Sequence, residues 1–496
     1  MLDITPKQKI KAKRLHKRNK NIEQTPNRSK SGRLLFSLLL APALFRLLFI
    51  PFSHPWDIQT HYALFAAIKF DQSPYVLTQV LSMEARTERV LLYHEYFQYP
   101  PGLIYLYWPI AKLYSYLNLD PSLNYHFARQ SSVPAIPAPW FFAYFFKLPL
   151  LVADMGIVIL LWKMGGRQVA LRYAWNIYPI MVLFWMFEAY GSFCLLLGIY
   201  WLNNKKNNQA AIILAIGTAI KYLPAIVLPA ILLYMLRERY SLSSIFRFML
   251  LFGLVTAGLC VGPWPLVGSD FLQGNLFSLE WQSWRSGAGL NLHYVFRLLN
   301  EWLPEAFSGL YRKSYLFSAA LGNLIFPIGM LFTYAYTYRK KLDLNRTVLV
   351  TLLGYIAFNK VVNEYYILPM IPFMLLELGH YPTLAKERFY QLLWSLPVAV
   401  ALITLPIFHV SLSLLAGLGQ INLPAVTGIL STYGQTLSYS SLIMTPLCLL
   451  YTGLCLLTMH VVATRPCLEV PKVVTQPEPL VIGSKLNISQ SLADEN

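Results

Sequence analysis

Apolar runs long enough to cross a bilayer alternate with polar connections from residue 34 to residue 463. The pattern predicts spans over 34–52, 139–162, 246–266, 315–337, 389–408 and 441–463, with shorter apolar pieces between them. Segment 210–236 is long for one span and is interrupted by Lys221-Tyr-Leu-Pro224, so it reads as two short helices turning there. Spans 346–358 and 365–378 form a second hairpin about Asn359-Lys-Val-Val-Asn-Glu-Tyr-Tyr366. Glu188 and Gly191 fall at a turn between 170–187 and 190–202. Residues 100–118 are apolar but broken by Pro109 and Lys112; span parity holds if they re-enter or lie on the surface. The fold class is all-α: a polytopic integral membrane protein of roughly 11–13 membrane helices, some short or re-entrant, with large outer loops.

Charge orients this pattern. Residues 1–33 carry eleven Lys/Arg against Asp3 and Glu23, half of the formal net charge of +18, and almost no apolar side chains. They read as a basic disordered cytoplasmic tail beside anionic headgroups, not as a nucleic-acid binder, because interleaved aromatics are missing. The membrane domain is then 34–463, and 464–496 is a polar cytoplasmic tail. With Lys163–Arg167, Asn203–Asn208, Arg237–Arg247, Arg339–Lys341 and the stretch to Arg388 kept inside, residues 53–99 and 268–314 share the outer face. Cys194, Cys260, Cys448, Cys455 and Cys467 lie mostly in apolar runs without metal spacing, and read as membrane-packed thiols. Nucleotide-binding glycine patterns are absent.

The chain brings unusual polar groups to that outer face. Asp57 follows the first span in His54-Pro-Trp-Asp-Ile-Gln-Thr-His-Tyr62, where a carboxylate either caps the next helix or serves chemistry. Lys147, Lys221, Arg285 and Lys360 supply cations, Glu188 a second acid, and Tyr99, Asn359 and Tyr365 polar or aromatic surface. Ionisable groups at membrane depth are costly, so each is either a paired structural residue or part of a site; Lys147 and Asp154 also have the option of neutralising each other. Trp281, Trp284, Tyr62 and Tyr366 add rings that suit a sugar or a membrane interface.

An ordered series of motifs makes the reading specific. It runs Asp57-Ile58, Ser73-Pro-Tyr75, Tyr99-Pro-Pro-Gly102, Lys147-Leu-Pro with Asp154, Asn176-Ile-Tyr-Pro179 and Gly191-Ser192. It continues through Ile220-Lys-Tyr-Leu-Pro224 with Pro229, Asn291, and Phe358-Asn-Lys-Val361 followed by Tyr365-Tyr366. Over roughly residues 34–380 this resembles the GT-C superfamily of polyprenyl-phosphate-sugar glycosyltransferases, above all the GPI mannosyltransferase I catalytic subunit and related bacterial mannosyltransferases. The resemblance implies an inverting transfer of a hexose, mannose by family, to a lipid or glycan hydroxyl on the non-cytoplasmic face. Asp57 would be the base, Lys221, Lys360, Arg285 and Lys147 would hold the donor phosphate, and Tyr99, Glu188, Asn359 and Tyr365 would line the substrate.

The family's Asp-x-Asp pair stands here as Asp57-Ile58-Gln59, which removes one of two carboxylates that would bridge a divalent metal. No metal ligand is assigned and no cofactor is fixed by the residues; a divalent metal stays open but is disfavoured by the missing carboxylate. The expected partners are the lipid-linked donor, the acceptor and membrane lipid. The location is multi-pass, in the plasma membrane of a bacterium or the endoplasmic reticulum of a eukaryote. The rival readings are a transporter or lipid-linked-sugar flippase, which calls for broken helices and a two-fold repeat, and a non-catalytic scaffold subunit. Broken helices are present and a repeat is not.

Overall fold

The computed structural model describes residues 36–75, 99–121, 138–182, 188–262, 288–290, 292–293, 295, 308–404, 407–422, 425, 429 and 441–465. Arg285, Asn291, Trp281, Trp284 and most of the two terminal tails lie outside the described residues. Helix accounts for 81% of what is described, so the chain is mostly helical.

The first apolar run is broken. A π turn at Phe36–Leu40 leads into α1, Ala41–Leu47, because Pro42 in the first turn has no N–H to continue the preceding ladder. Next come α2 (Pro55–Lys69), α3 (Gly102–Tyr116) and α4 (Phe142–Ala174). Where the sequence pattern put a loop at Lys163–Arg167, helix continues to a reversal at Gly166, whose φ of +79° only glycine adopts without strain. The last turns come back along the helix, so that Tyr173 reaches Asp154.

The short α5 (Ile177–Val182) is followed by α6 (Glu188–Asn203), α7 (Asn207–Ile220) and α8 (Leu223–Arg237). Lys221 is extended between α7 and α8, and Pro224 opens the new helix, as the sequence pattern predicts. Then follow α9 (Leu242–Val261), α10 (Ser308–Arg339), α11 (Leu344–Phe358), α12 (Met370–His380), α13 (Arg388–Thr404), α14 (Ile407–Gly417) and α15 (Ser441–Thr464). Ser241 and Asp343 cap α9 and α11, accepting from Ser244 N and Arg346 N.

Among the described residues, three helices are long and apolar enough to cross a membrane: α4, α9 and Met444–Thr464 of α15. Helices α7, α8, α11 and α12 are apolar but shorter. At about 1.5 Å per residue, fifteen residues reach about 22 Å, less than a hydrocarbon core of about 30 Å. Small residues let these pieces pack closely: a Cβ on Gly198 would lie 2.6 Å from Leu214 and one on Gly217 2.6 Å from Cys194. Helix α11 is central and buried on nearly every side, against α8, α10, α12 and α15.

Residues 61–68 are all buried, because α3, α4 and α14 cover α2. The fold also holds a short parallel pairing, β1 (Ala288–Gly289) with β2 (Val361–Val362). It ties the second polar connection to the turn that follows α11, with Leu290 N donating to Val362 O at 2.8 Å.

Candidate functional site

One end of the bundle gathers the polar groups. There α1 ends, α4 and α6 begin, α7 turns into α8, and α11 gives way to Asn359-Lys360. Helix α2 starts beside it: Pro55 takes the first helical position, which suits its fixed φ, and His54 is the N-cap. Asp57 is therefore the third residue of the helix and not its cap. Its side chain lies outside the described residues.

His61, one turn on, is buried between two rings, 3.9 Å from Phe146 and 5.8 Å from Tyr99, both near parallel. Burial, and secondarily Lys147, pushes its pKa down to about 3. Lys147 is buried too, and its Nζ donates to the carbonyls of Ile50 (3.1 Å) and Phe52 (2.6 Å). Those carbonyls follow a helix C-terminus, where a cation is favoured. Asp154 is not Lys147's counter-ion. It pairs with Arg46 at 2.6 Å and accepts from Tyr173 Oη at 2.7 Å.

Tyr99 receives a hydrogen bond from Tyr75 Oη on its carbonyl. Past it, Gly102 abuts the carbonyl of Ala219, which seats α3 against the last turn of α7. Tyr107 Oη lies 2.9 Å from the carbonyl of Phe146 and 3.2 Å from Tyr190 Oη. Tyr114 packs on Phe141, Phe142 and Phe145. The ring contacts of α3 thus fall on the opening turns of α4.

Glu188 opens α6 and forms an ion pair with Lys221. The carboxylate is buried, while the lysine side chain is 24% exposed. Lys221 Nζ lies 4.6 Å from the ring centroid of Tyr366 and 5.7 Å from that of Tyr365, and those two rings meet edge to face. Asn363 Nδ2 donates to Tyr365 Oη at 2.5 Å. On the same turn Asn359 Oδ1 accepts from Val361 N at 3.4 Å. Lys360 Nζ donates to Asn323 Oδ1 of α10 at 2.6 Å. His293, delivered by the β1–β2 pairing, is buried beside it; a Cβ on Gly322 would touch both Lys360 and His293 Cε1. Burial first, then Lys360, lowers the His293 pKa, against a hydrogen bond with the Phe358 backbone that raises it.

Of the residues singled out in the sequence, Lys221, Glu188 and Tyr365 meet directly, and Asn359 and Lys360 sit on the adjoining turn. Tyr99 and Lys147 belong to the neighbouring His61 cluster. Arg285 lies outside the described residues. His61, His293 and Asn323 were not singled out, and only His61 carried a signal, four residues beyond Asp57 on the same helical face. Among the described residues no group of three or more His, Cys, Asp or Glu side chains is placed to hold a metal ion. No protein-family model matches the chain, and no curated protein matches it either.

Proposed function

We propose that the chain is an integral-membrane glycosyltransferase of GT-C type. It moves a hexose, mannose by resemblance, from a polyprenyl-phosphate donor to a lipid or glycan hydroxyl at the non-cytoplasmic face. The observation that carries this reading is the gathering of Glu188, Lys221, Lys360 and the Tyr365–Tyr366 rings at the end of the bundle where α2 begins with Asp57. Cations beside a hydrocarbon boundary suit a lipid phosphate, and paired rings and amides suit a sugar.

In this mechanism the acceptor oxygen attacks the anomeric carbon and its proton passes to the Asp57 carboxylate. The bond between the anomeric carbon and the phosphate oxygen breaks, and polyprenyl phosphate leaves with the electron pair. Positive charge from Lys360 stabilises the leaving phosphate, a preorganised electrostatic role. Lys147 acts at one remove, by fixing the chain between α1 and α2.

The test is transfer by the purified protein in lipid nanodiscs, offered a panel of radiolabelled polyprenyl-phosphate sugars and a mixed lipid acceptor extract. Wild type should transfer one sugar. Asp57→Asn should lose about 10²–10⁴ in turnover, the range for a general base, while still binding donor. Near-normal turnover in that variant removes Asp57 from the mechanism. Absence of transfer from every donor, with movement of labelled donor across sealed vesicles, identifies the flippase instead.

A further inference from the structure

Resting on the transferase reading, we infer that Glu188, Gly191, Lys221 and Tyr366 form the pocket for the donor's hexose, with Glu188 accepting a sugar hydroxyl. Three observations converge. Glu188 is 1% exposed, and of its two carboxylate oxygens Oε1 meets Lys221 while Oε2 has no hydrogen-bond partner among the described residues. A buried carboxylate oxygen without a donor is costly, so a ligand hydroxyl that supplies one is bound with advantage.

Gly191, one turn along α6, is buried and yet not packed. A Cβ there would meet only Lys221 Cβ, at 3.7 Å, among the described residues. The other buried glycines among the described residues behave differently: a Cβ on Gly102, Gly198, Gly217, Gly322, Gly329 or Gly354 would press on a neighbour at less than 3.0 Å. Among the described residues, then, no side chain crowds the position beside Gly191, three residues from Glu188 on the same face of α6. Beyond it lies Lys221 Nζ, 4.6 Å from the Tyr366 centroid and partly open to the outside.

The chemistry of this group favours a sugar over a phosphate. A lysine already paired with a buried carboxylate presents no net charge, which serves a dianion poorly. A carboxylate acceptor, an ammonium donor and an aromatic face together match what a hexose offers, adjacent hydroxyls and an apolar C–H face.

The discriminating measurement is the ratio of affinities for polyprenyl-phosphate mannose and for sugar-free polyprenyl phosphate, read by competition binding in nanodiscs. Losing one charged hydrogen bond should lower that ratio about tenfold to a hundredfold in Glu188→Gln. Gly191→Leu should lower it as well by filling the space. An unchanged ratio in Glu188→Gln overturns the pocket, and does so even if Gly191→Leu does not fold; so does an unchanged ratio in a folded Gly191→Leu. Those results leave the transferase standing, with Glu188 merely holding Lys221. If wild type binds neither compound, the pocket and the transferase reading fall together.

Discussion

The buried ion pair between Arg46 and Asp154 makes the strongest stability prediction. Arg46, in the last turn of α1, is completely buried, and its Nε sits 2.6 Å from Asp154 Oδ2 inside α4. Its Nη1 donates to the carbonyl of Ala174 at 2.7 Å, and Tyr173 Oη donates to Asp154 Oδ1 at 2.7 Å. One pair thus fastens α1 to both arms of the reversal at Gly166. Asp154→Asn keeps the shape and an acceptor for Tyr173, but it leaves a buried guanidinium facing a neutral amide and carbonyls. Removing one partner of a buried pair costs about 3–5 kcal/mol, whereas replacing both by apolar residues of similar volume is near neutral or better.

Equilibrium unfolding in mixed micelles, by titrating a denaturing detergent and following tryptophan fluorescence, reads this directly. Asp154→Asn should lose about 3–5 kcal/mol, and Arg46→Met with Asp154→Leu should recover most of that loss. An Asn variant within about 1 kcal/mol of wild type would show that the charge is met elsewhere. A double variant no better than the single would show that packing, not charge, holds the reversal in place.

Three further outcomes follow from the geometry. Gly329→Val drives a side chain into Phe358 where α10 crosses α11 and should cost about 1–3 kcal/mol or more in the same titration, while Gly253→Val, with open space around it among the described residues, should cost nothing measurable, because valine is the better helix former of the two. His61 is held near pKa 3 in the folded chain against about 6.5 unfolded, so between those values the unfolded chain binds the extra proton. Stability should then fall as pH drops below about 6.5, by up to about 1.4 kcal/mol per unit, and His61→Phe should flatten that slope in unfolding measured from pH 4 to 8. Cysteines at Gln72 and Lys341, both exposed, should label from opposite sides of sealed vesicles once the native thiols are replaced; labelling from one side overturns the orientation read from charge.

What the sequence made legible was local. Lys221-Tyr-Leu-Pro224 announces a helix break because proline restricts its predecessor and starts a new helix, and the turn lies there. The polar run Asn359–Tyr366 between apolar segments likewise marks a turn. Pairing between distant residues was not legible. Nothing near Asp154 in sequence indicates that Arg46, 108 positions earlier, is its partner in preference to Lys147 seven residues away. The helical path through Lys163–Arg167 was hidden because a Gly-Gly step with flanking charge reads as a loop, whereas one glycine with positive φ turns the helix back on itself. The burial of α2 depends on what covers it, which no single-segment pattern reports.

The buried carboxylates themselves argue that the Lys221 end differs in kind from the rest of the fold. Taking a carboxylate out of water costs several kcal/mol unless its lone pairs are engaged. Glu377 meets this with Arg346, Oε1 receiving Nη2 at 3.0 Å and Oε2 receiving Nε at 3.1 Å. Asp154 meets it with a hydrogen bond from Tyr173 on Oδ1 and with the Arg46 guanidinium 2.6 Å from Oδ2, an ion-pair contact without a hydrogen bond. In both cases each oxygen faces a cation or a hydroxyl donor, and both carboxylates belong to helices they tie to neighbours. Glu188 is as deeply buried, but its partner is a part-exposed lysine and its second oxygen has no donor among the described residues. A chain able to close two such sites with arginine and tyrosine has left the third half open, beside an unfilled glycine and two tyrosine rings. A purely structural pair has no need of that arrangement; a pair that exchanges protein contacts for a hydroxyl-rich ligand does.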